Sequence, residues 1–95
     1  MAANPEEKWS VRTLPRAQRE IDRLPDAVRY EALEAIQDLA EVPFPPDSLL
    51  LRGYSHSHRI KFYGNQYRIL YHASESQRTI YVFRVRPRQD AYRGL

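Results

Sequence analysis

The segment His58–His72 reads HRIKFYGNQYRILYH, and its alternation of polar with apolar residues predicts two strands joined by a tight turn. Gly64 and Asn65 stand between the two runs, and both residue types tolerate the positive φ of a two-residue hairpin turn. A third segment of the same character, TIYVFRVRPRQDAY, follows at Thr79–Tyr92. Strands with such short connections pair antiparallel, so this half of the chain predicts an antiparallel sheet. The predicted strands are His58–Tyr63, Gln66–Ala73 and Arg78–Val85.

The first half of the chain predicts one short strand followed by two helices. Lys8–Thr13 alternates polar and apolar residues and is interpreted as the strand. Pro15 suits the first turn of a helix, where its missing N–H costs nothing, and Pro25 separates this helix from the next. Apolar residues recur at helical spacing, and we expect them to cover the sheet face that carries Ile60 and Phe62. These residues are Ile21, Leu24, Val28, Leu33, Ile36 and Leu39.

The predicted order is β-α-α-β-β-β, an α+β fold in which a helical hairpin packs on one face of a small antiparallel sheet. The chain of 95 residues is expected to form a single domain with one modest core. We expect residues 1–7 to be a mobile lead-in, and residues 87–95 to form a short turn of helix or an irregular end.

Composition excludes several classes of function. The chain has no cysteine, so it has neither disulfides nor thiolate chemistry, and a cytoplasmic protein is expected. No apolar run approaches the roughly 20 residues that a membrane-spanning helix needs. His56, His58 and His72 have no further ligand nearby in sequence, so we expect no metal site. Neither a glycine-rich phosphate loop nor a nucleophile elbow is present, and no cofactor is expected.

Charge is distributed unevenly between the two halves of the chain. Residues 1–50 carry six Lys or Arg against ten Asp or Glu, whereas residues 51–95 carry nine against two. No acidic residue lies between Arg52 and Glu75, so the positive charge of this region is not neutralised locally. The asymmetry indicates a surface that faces a polyanion, with chance clustering of solvated charges as the alternative.

Strand alternation places Arg59 and Lys61 on the sheet face opposite Ile60 and Phe62. Arginine binds phosphate with a planar fork and stays charged, whereas lysine can act as a base once neighbouring cations lower its pKa. Cleavage of an RNA phosphodiester requires such groups: a base for the 2′-OH, positive charge at the phosphorane and help for the leaving 5′ oxygen. From charge alone, plain nucleic-acid binding or an anchor for an acidic partner is favoured over catalysis.

Beyond these local patterns, the sequence resembles the RelE/ParE superfamily of toxins from type II toxin–antitoxin systems along nearly the whole chain. RelE-type members are ribosome-dependent mRNA endonucleases that inhibit translation. The resemblance therefore implies an mRNA-cleaving toxin whose partners are the ribosome, mRNA and a cognate antitoxin protein. The resemblance rests on five sequence motifs. They are A-x-R-E-I-D-R-L-P at residues 17–25, L-R-G-Y at Leu51–Tyr54, R-I-K-F at Arg59–Phe62, Y-R-I-L-Y at Tyr67–Tyr71 and R-V-R-P-R-Q-D-A-Y at Arg84–Tyr92.

The resemblance also implies roles for individual residues. Lys61 is implied to be the general base, and Arg68, which we expect to be exposed, is implied to stabilise the transition state. Arg86 or Arg88 matches the late arginine that assists the leaving group. Tyr92 matches the C-terminal tyrosine of the superfamily.

RNA binding is expected from Arg59, Lys61 and Arg84. Arg59 stands where the superfamily often has lysine, and because arginine is a poor base, any base role falls on Lys61. Arg86 and Arg88 compete for the late position, and their spacing to the terminal tyrosine does not decide between them.

Two other functions remain open. ParE-type members share the fold and the Y-R-x-x-Y strand but are implied to poison DNA gyrase without cutting RNA. They tend not to keep the full set of lysine, arginines and tyrosine, and its retention here favours the RNase. A catalytically silent module that binds nucleic acid or antitoxin is the third possibility, and all three predict a basic face.

Overall fold

The computed structural model describes residues 8–94, and the expected lead-in at residues 1–7 lies outside the described residues. No helix in this part of the chain is both long and apolar enough to cross a membrane. The elements are β1 (Ser10–Thr13), α1 (Pro15–Asp22), α2 (Asp26–Asp38), β2 (Leu49–Leu50), β3 (Ser57–Phe62), β4 (Tyr67–Ser74), β5 (Thr79–Pro87) and a 3₁₀ turn (Arg88–Asp90).

Five strands form one sheet in the order β1-β5-β4-β3-β2. The long strands β3, β4 and β5 pair antiparallel, which confirms the prediction for the second half of the chain. β1 pairs parallel to β5, so the sheet is mostly rather than wholly antiparallel. No tight turn joins β1 to β5, and therefore no hairpin dictates its direction. The two-residue strand β2 pairs with β3 in a segment for which the sequence predicted no strand.

Both helices pack on the same face of the sheet and cover its apolar residues. α1 begins at Pro15 and α2 at Asp26, as the proline spacing predicts. Ile60 and Phe62 of β3 lie in the core beneath the helices, which confirms the predicted strand register. The helical residues of this core are Ala17, Ile21, Val28, Ala32, Ile36 and, just after α2, Leu39.

One predicted core residue is misplaced. Leu33 is 48% exposed, whereas its neighbour Ala32 is fully buried. The buried stripe of α2 runs through Val28, Ala32 and Ile36 at intervals of four residues. Leu33 stands about 100° further round the helix and therefore faces away from the sheet. Leu24, from the connection between the helices, is half-buried against the core as expected.

A β-bulge interrupts the pairing of β4 with β5. Tyr71 pairs with Val82, whereas Leu70 pairs with Arg84, so Phe83 is an inserted residue without a partner. Strict alternation predicts that Val82 and Arg84 share a face of the sheet. The bulge separates them: Val82 lies in the core beneath the helices, and Arg84 faces the opposite side with Leu70.

Candidate nucleic-acid interface

The sheet face opposite the helices, which we call the open face, carries the cations identified in the sequence. Lys61 on β3 pairs with Arg68 on β4, and Arg68 in turn pairs with Arg86 on β5. Paired side chains point to the same face, with Cβ atoms about 4.5–5.5 Å apart. We call these three residues the cation row. Lys61 and Arg68 come from the two strands of one hairpin and Arg86 from the next strand, and the strand register brings the three together.

Arg68 lies at the centre of the cation row but is only 7% exposed, so the expectation of an exposed Arg68 is wrong. It stands on the central strand, flanked on both sides by other strands. Its Nη1 donates hydrogen bonds to the backbone carbonyls of Asn65 and Tyr67, each at 3.1 Å. These bonds tie the guanidinium to the hairpin turn, where Gly64 and Asn65 have positive φ as predicted. The Arg68 Nε is buried without a hydrogen-bond partner in residues 8–94.

Glu20 on α1 contacts two arginines of β5, and sequence reasoning missed it. Its Oε1 accepts a hydrogen bond from the backbone N–H of Val85 at 2.8 Å. Its Oε2 lies 3.1 Å from the Nε of Arg84 and 3.6 Å from the Nε of Arg86. One carboxylate therefore binds the β5 backbone beyond the end of β1 and holds two arginines. The residue lies in the first-helix motif, but nothing local indicates its distant partners.

Arg84 is almost completely buried, with 1% exposure, beneath the C-terminal segment, residues 88–94. Its Nη1 donates a hydrogen bond to the carbonyl of Arg93 at 3.0 Å. Leu70 and Ala91 are fully buried although neither belongs to the core beneath the helices, because this segment covers the open face at their level. The expectation that Arg84 binds RNA conflicts with this burial, since the segment and Glu20 enclose its guanidinium.

The remaining predicted residues border the cation row. Arg59 shares a face of β3 with the lysine of the row, and its Nη1 donates a long hydrogen bond of 3.4 Å to a backbone carbonyl before β2. Arg88 is exposed at the start of the 3₁₀ turn, and Tyr92 is 46% exposed on the C-terminal segment. The side chain of Arg86 is 31% exposed. Of the two late arginines, Arg86 therefore belongs to the row and Arg88 lies beyond it.

Lys61 is the exposed member of the cation row, and no hydrogen bond or ion pair holds its ammonium within residues 8–94. Lysine can release a proton, whereas arginine stays protonated in proteins. The row therefore combines one potential base with two fixed positive charges. This combination suits an anionic ligand such as a phosphodiester.

The histidines occupy two different faces of the sheet. His56 and His72 meet edge to face with ring centroids 5.9 Å apart. His58 stacks on Tyr71 with ring centroids 5.5 Å apart, and burial lowers its pKa, with the charges of His56 and His72 contributing. Within residues 8–94, no group of three or more His, Cys, Asp or Glu side chains could hold a metal ion.

Comparisons with known proteins identify similar chains. The family model described as the ParE toxin of the type II toxin–antitoxin system parDE matches residues 11–92. The chain is similar in structure to the Mycobacterium tuberculosis RelBE2 toxin–antitoxin complex, with 24% identity, TM-score 0.73 and coverage of 85% of this chain and 99% of that one. No curated protein matches the sequence significantly.

Two further solved structures share this fold. One is the intact Escherichia coli RelBE toxin–antitoxin complex, with 23% identity, TM-score 0.72 and coverage of 82% of this chain and 94% of that one. The other is the archaeal RelE–RelB complex of Pyrococcus horikoshii OT3, with 22% identity, TM-score 0.70 and coverage of 87% and 98%. These likenesses confirm the predicted α+β architecture, two helices on an open sheet.

Proposed function

The chain belongs to the RelE/ParE superfamily of toxins from type II toxin–antitoxin systems, and from this premise we propose that it is a metal-independent endoribonuclease that cuts mRNA on the ribosome and inhibits translation. The observation that carries the proposal is the cation row. Lys61, Arg68 and Arg86 stand side by side on three adjacent strands. A potential base beside fixed positive charge is what cleavage of a phosphodiester by its own 2′-OH needs.

In the proposed reaction, neutral Lys61 takes the proton of the 2′-OH, and the 2′ oxygen forms a bond to the adjacent phosphorus. The positive charges of Arg68 and Arg86 stabilise the resulting phosphorane. The bond from phosphorus to the 5′ oxygen then breaks, Arg86 or Arg88 donates a hydrogen bond to that oxygen, and a water molecule supplies its proton. The protonated Lys61 then gives its proton to the hydroxide that remains, which restores the starting state. The products are a 2′,3′-cyclic phosphate and a 5′-hydroxyl end. In this scheme, Tyr92 contacts the base next to the cleaved bond.

Burial limits what Arg68 does in this scheme. Its Nη1 is committed to the carbonyls of Asn65 and Tyr67. Arg68 therefore contributes charge from the floor of the cation row, and the more exposed Arg86 makes the direct contact with phosphate. The ribosome supplies what the row lacks, namely the alignment of the 2′-OH with phosphorus and the 5′ oxygen.

Cleavage of mRNA in a purified translation system tests the proposal. Translating ribosomes are incubated with the full chain, the new 5′ ends of the message are mapped, and the 3′ ends are examined for a cyclic phosphate. We expect cuts that depend on both ribosomes and Lys61, with no cleavage of the same message alone. Intact message in the presence of folded wild-type protein contradicts the proposal.

Poisoning of DNA gyrase is the second candidate function, and the matching family model is the observation that favours it, because that model describes ParE toxins. Burial of Arg68 and Arg84 within intramolecular contacts also leaves fewer arginines free for RNA. Expression of the protein should then cause double-strand breaks in DNA without mRNA cleavage. The breaks should disappear in cells whose gyrase is resistant to the toxin.

We also propose that a cognate antitoxin protein is the regulatory partner. The similar solved structures include complexes of RelE toxins with RelB antitoxins. The partly exposed Arg59 and the exposed Lys61 suit an acidic or amphipathic segment that orders on binding. Co-expression of the neighbouring reading frame, followed by purification of the complex, tests this partner.

A further inference from the structure

A groove of about 580 Å³ opens on the same sheet face as the cation row, within the size range of roughly 300–1,000 Å³ usual for ligand sites. Four planar rings line it, those of Tyr54, His72, Tyr81 and Phe83. We call it the aromatic groove. His72 stands four residues after Arg68 on β4, so the groove lies about 13 Å along the strand from the cation row.

Three separate structural features form this groove. Register pairs His72 with Tyr81 across β4 and β5. The β-bulge inserts Phe83 without a strand partner, and the inserted residue lines the groove rather than the core. Tyr54 is carried by a turn in which its N–H binds the carbonyl of Leu51 and its carbonyl binds the N–H of Ser57. The rings thus come from β4, β5 and the loop before β3.

The charge around the groove is positive. Arg16 lines it and is exposed, and Arg12 stands beside it on β1, paired with Tyr81 and also exposed. None of the described residues that line the groove is acidic. An anionic ligand with planar, stackable groups matches both the rings and the charge.

We propose that the aromatic groove binds a base of single-stranded RNA a few nucleotides from the phosphate held at the cation row. This proposal rests on the proposed function, since the cation row supplies the scissile position. A separation of about 13 Å is a few nucleotides along one strand. Stacking on aromatic side chains accepts every base, so the groove holds the message without dictating its sequence.

An acidic peptide is the competing ligand, and two features favour RNA over it. The groove presents four rings against two aliphatic residues, Leu14 and Pro15, and stacked bases use the faces of such rings. It also lies on the same face as the cation row. The C-terminal segment covers Leu70 between the two sites, so an RNA strand that reaches both passes over this segment, where Tyr92 is exposed. Alternating sites for phosphate and base are typical of surfaces that bind single-stranded nucleic acid.

The test uses the full chain and a short 2′-O-methyl RNA, which cannot be cleaved, carrying one 2-aminopurine. Fluorescence of this base falls when it stacks on an aromatic ring. The variants are Tyr54→Ala and Phe83→Leu, the second of which keeps apolar volume without a ring. Tyr30→Ala on α2 is the control, because Tyr30 is 66% exposed on a helix that packs against the other face. Thermal unfolding verifies that each variant is folded.

We expect wild-type protein and Tyr30→Ala to quench the fluorescence equally. Tyr54→Ala and Phe83→Leu should each weaken RNA binding by about 10-fold and raise the KM of ribosomal cleavage more than they lower kcat. Unchanged RNA binding by both groove variants overturns the proposal. So does an acidic amphipathic peptide that binds the groove while RNA leaves its rings unaffected.

The groove and the proposed function fail in different ways. If wild-type protein quenches the labelled RNA through Tyr54 and Phe83 but does not cut mRNA on ribosomes, the proposed function fails and the base-binding groove stands. If mRNA is cut equally well by wild type and by both groove variants, the groove proposal fails and the endonuclease stands.

Discussion

The carboxylate of Glu20 and the guanidinium of Arg84 meet at 3.1 Å although 64 residues separate them in the chain. The Arg84 side chain is 1% exposed and that of Glu20 is 18% exposed, so this ion pair is largely withdrawn from water. The same carboxylate binds the Val85 N–H and approaches Arg86. One helical residue therefore connects α1, the bulged strand β5 and the candidate site.

Removal of Glu20 should destabilise the protein strongly. Glu20→Ala leaves the buried Arg84 without its charged partner and the Val85 N–H without its acceptor, so we expect the free energy of unfolding to fall by about 3–5 kcal/mol. Urea titration at neutral pH measures the loss. Asp26→Ala is the matched control, because its ion pair with Arg29 involves a carboxylate that is 95% exposed. The control should lose less than about 1 kcal/mol of unfolding free energy. A similarly small loss for Glu20→Ala would show that the buried ion pair makes no net contribution to stability.

Lys61→Arg should separate charge from proton transfer. The substitution keeps a positive charge at an exposed position but replaces the potential base with a group that stays protonated. We expect cleavage on ribosomes to fall by about 10²–10⁴-fold, as loss of a general base does, with RNA binding retained. Single-turnover cleavage and RNA affinity are measured side by side. Cleavage at the wild-type rate would remove Lys61 from the base role.

Arg86 and Arg88 should differ in their effect on catalysis. Arg86 belongs to the cation row and is held near Glu20, whereas Arg88 is exposed at the start of the 3₁₀ turn. Arg86→Ala should lower kcat by about 10²-fold or more. Arg88→Ala should mainly weaken binding, with a lower dependence on salt concentration. The reverse ranking of the two kcat values would assign the late arginine to Arg88.

Acid should destabilise the fold through His58. Burial lowers the pKa of His58 below its ordinary 6.5, and its Nδ1 has no partner among the described residues. Protonation therefore favours the unfolded chain, so the stability due to neutral His58 is present above about pH 6.5 and is lost as the pH falls through the folded-state pKa. Unfolding free energies measured from pH 8 to pH 5 should decline less in His58→Gln. Parallel pH profiles for the two proteins would exclude this origin.

Charge reversal at Arg59 and Lys61 should weaken binding of the proposed antitoxin. Both residues lie on the open face, and steering by exposed charges raises association rates at low salt. The double variant Arg59→Glu with Lys61→Glu should associate more slowly with the antitoxin, and rising salt should reduce the difference from wild type. Association rates of the purified pair measure this. Arg68 is left unchanged because it is buried, and reversal there would disturb the fold.

Local chemistry accounts for the features that could be predicted from the sequence. Pro15 and the Pro25 boundary define the helix starts, and Gly64-Asn65 supports the positive φ of the hairpin. Alternation on β3 separates the outward Lys61 from the core residue Ile60. Each of these features depends on residues that are close together in the chain, within a single turn, helix end or strand. The local sequence is therefore enough to predict it.

Long-range contacts decided the rest. The parallel pairing of β1, the bulge at Phe83 and the burial of Arg68 depend on how distant segments meet. Periodicity cannot indicate an inserted residue, because a bulge leaves the pattern of residue types intact while it changes which face each side chain takes.

The sequence by itself determined the fold class, the proline-bounded helices and the identity of the cations on the open face. Only the tertiary structure decided which cations are accessible: Lys61 is exposed, Arg86 is half-buried beside Glu20, and Arg84 is enclosed beneath the C-terminal segment. The physical reason is that charge belongs to a residue, whereas burial and pairing belong to contacts between residues far apart in the chain.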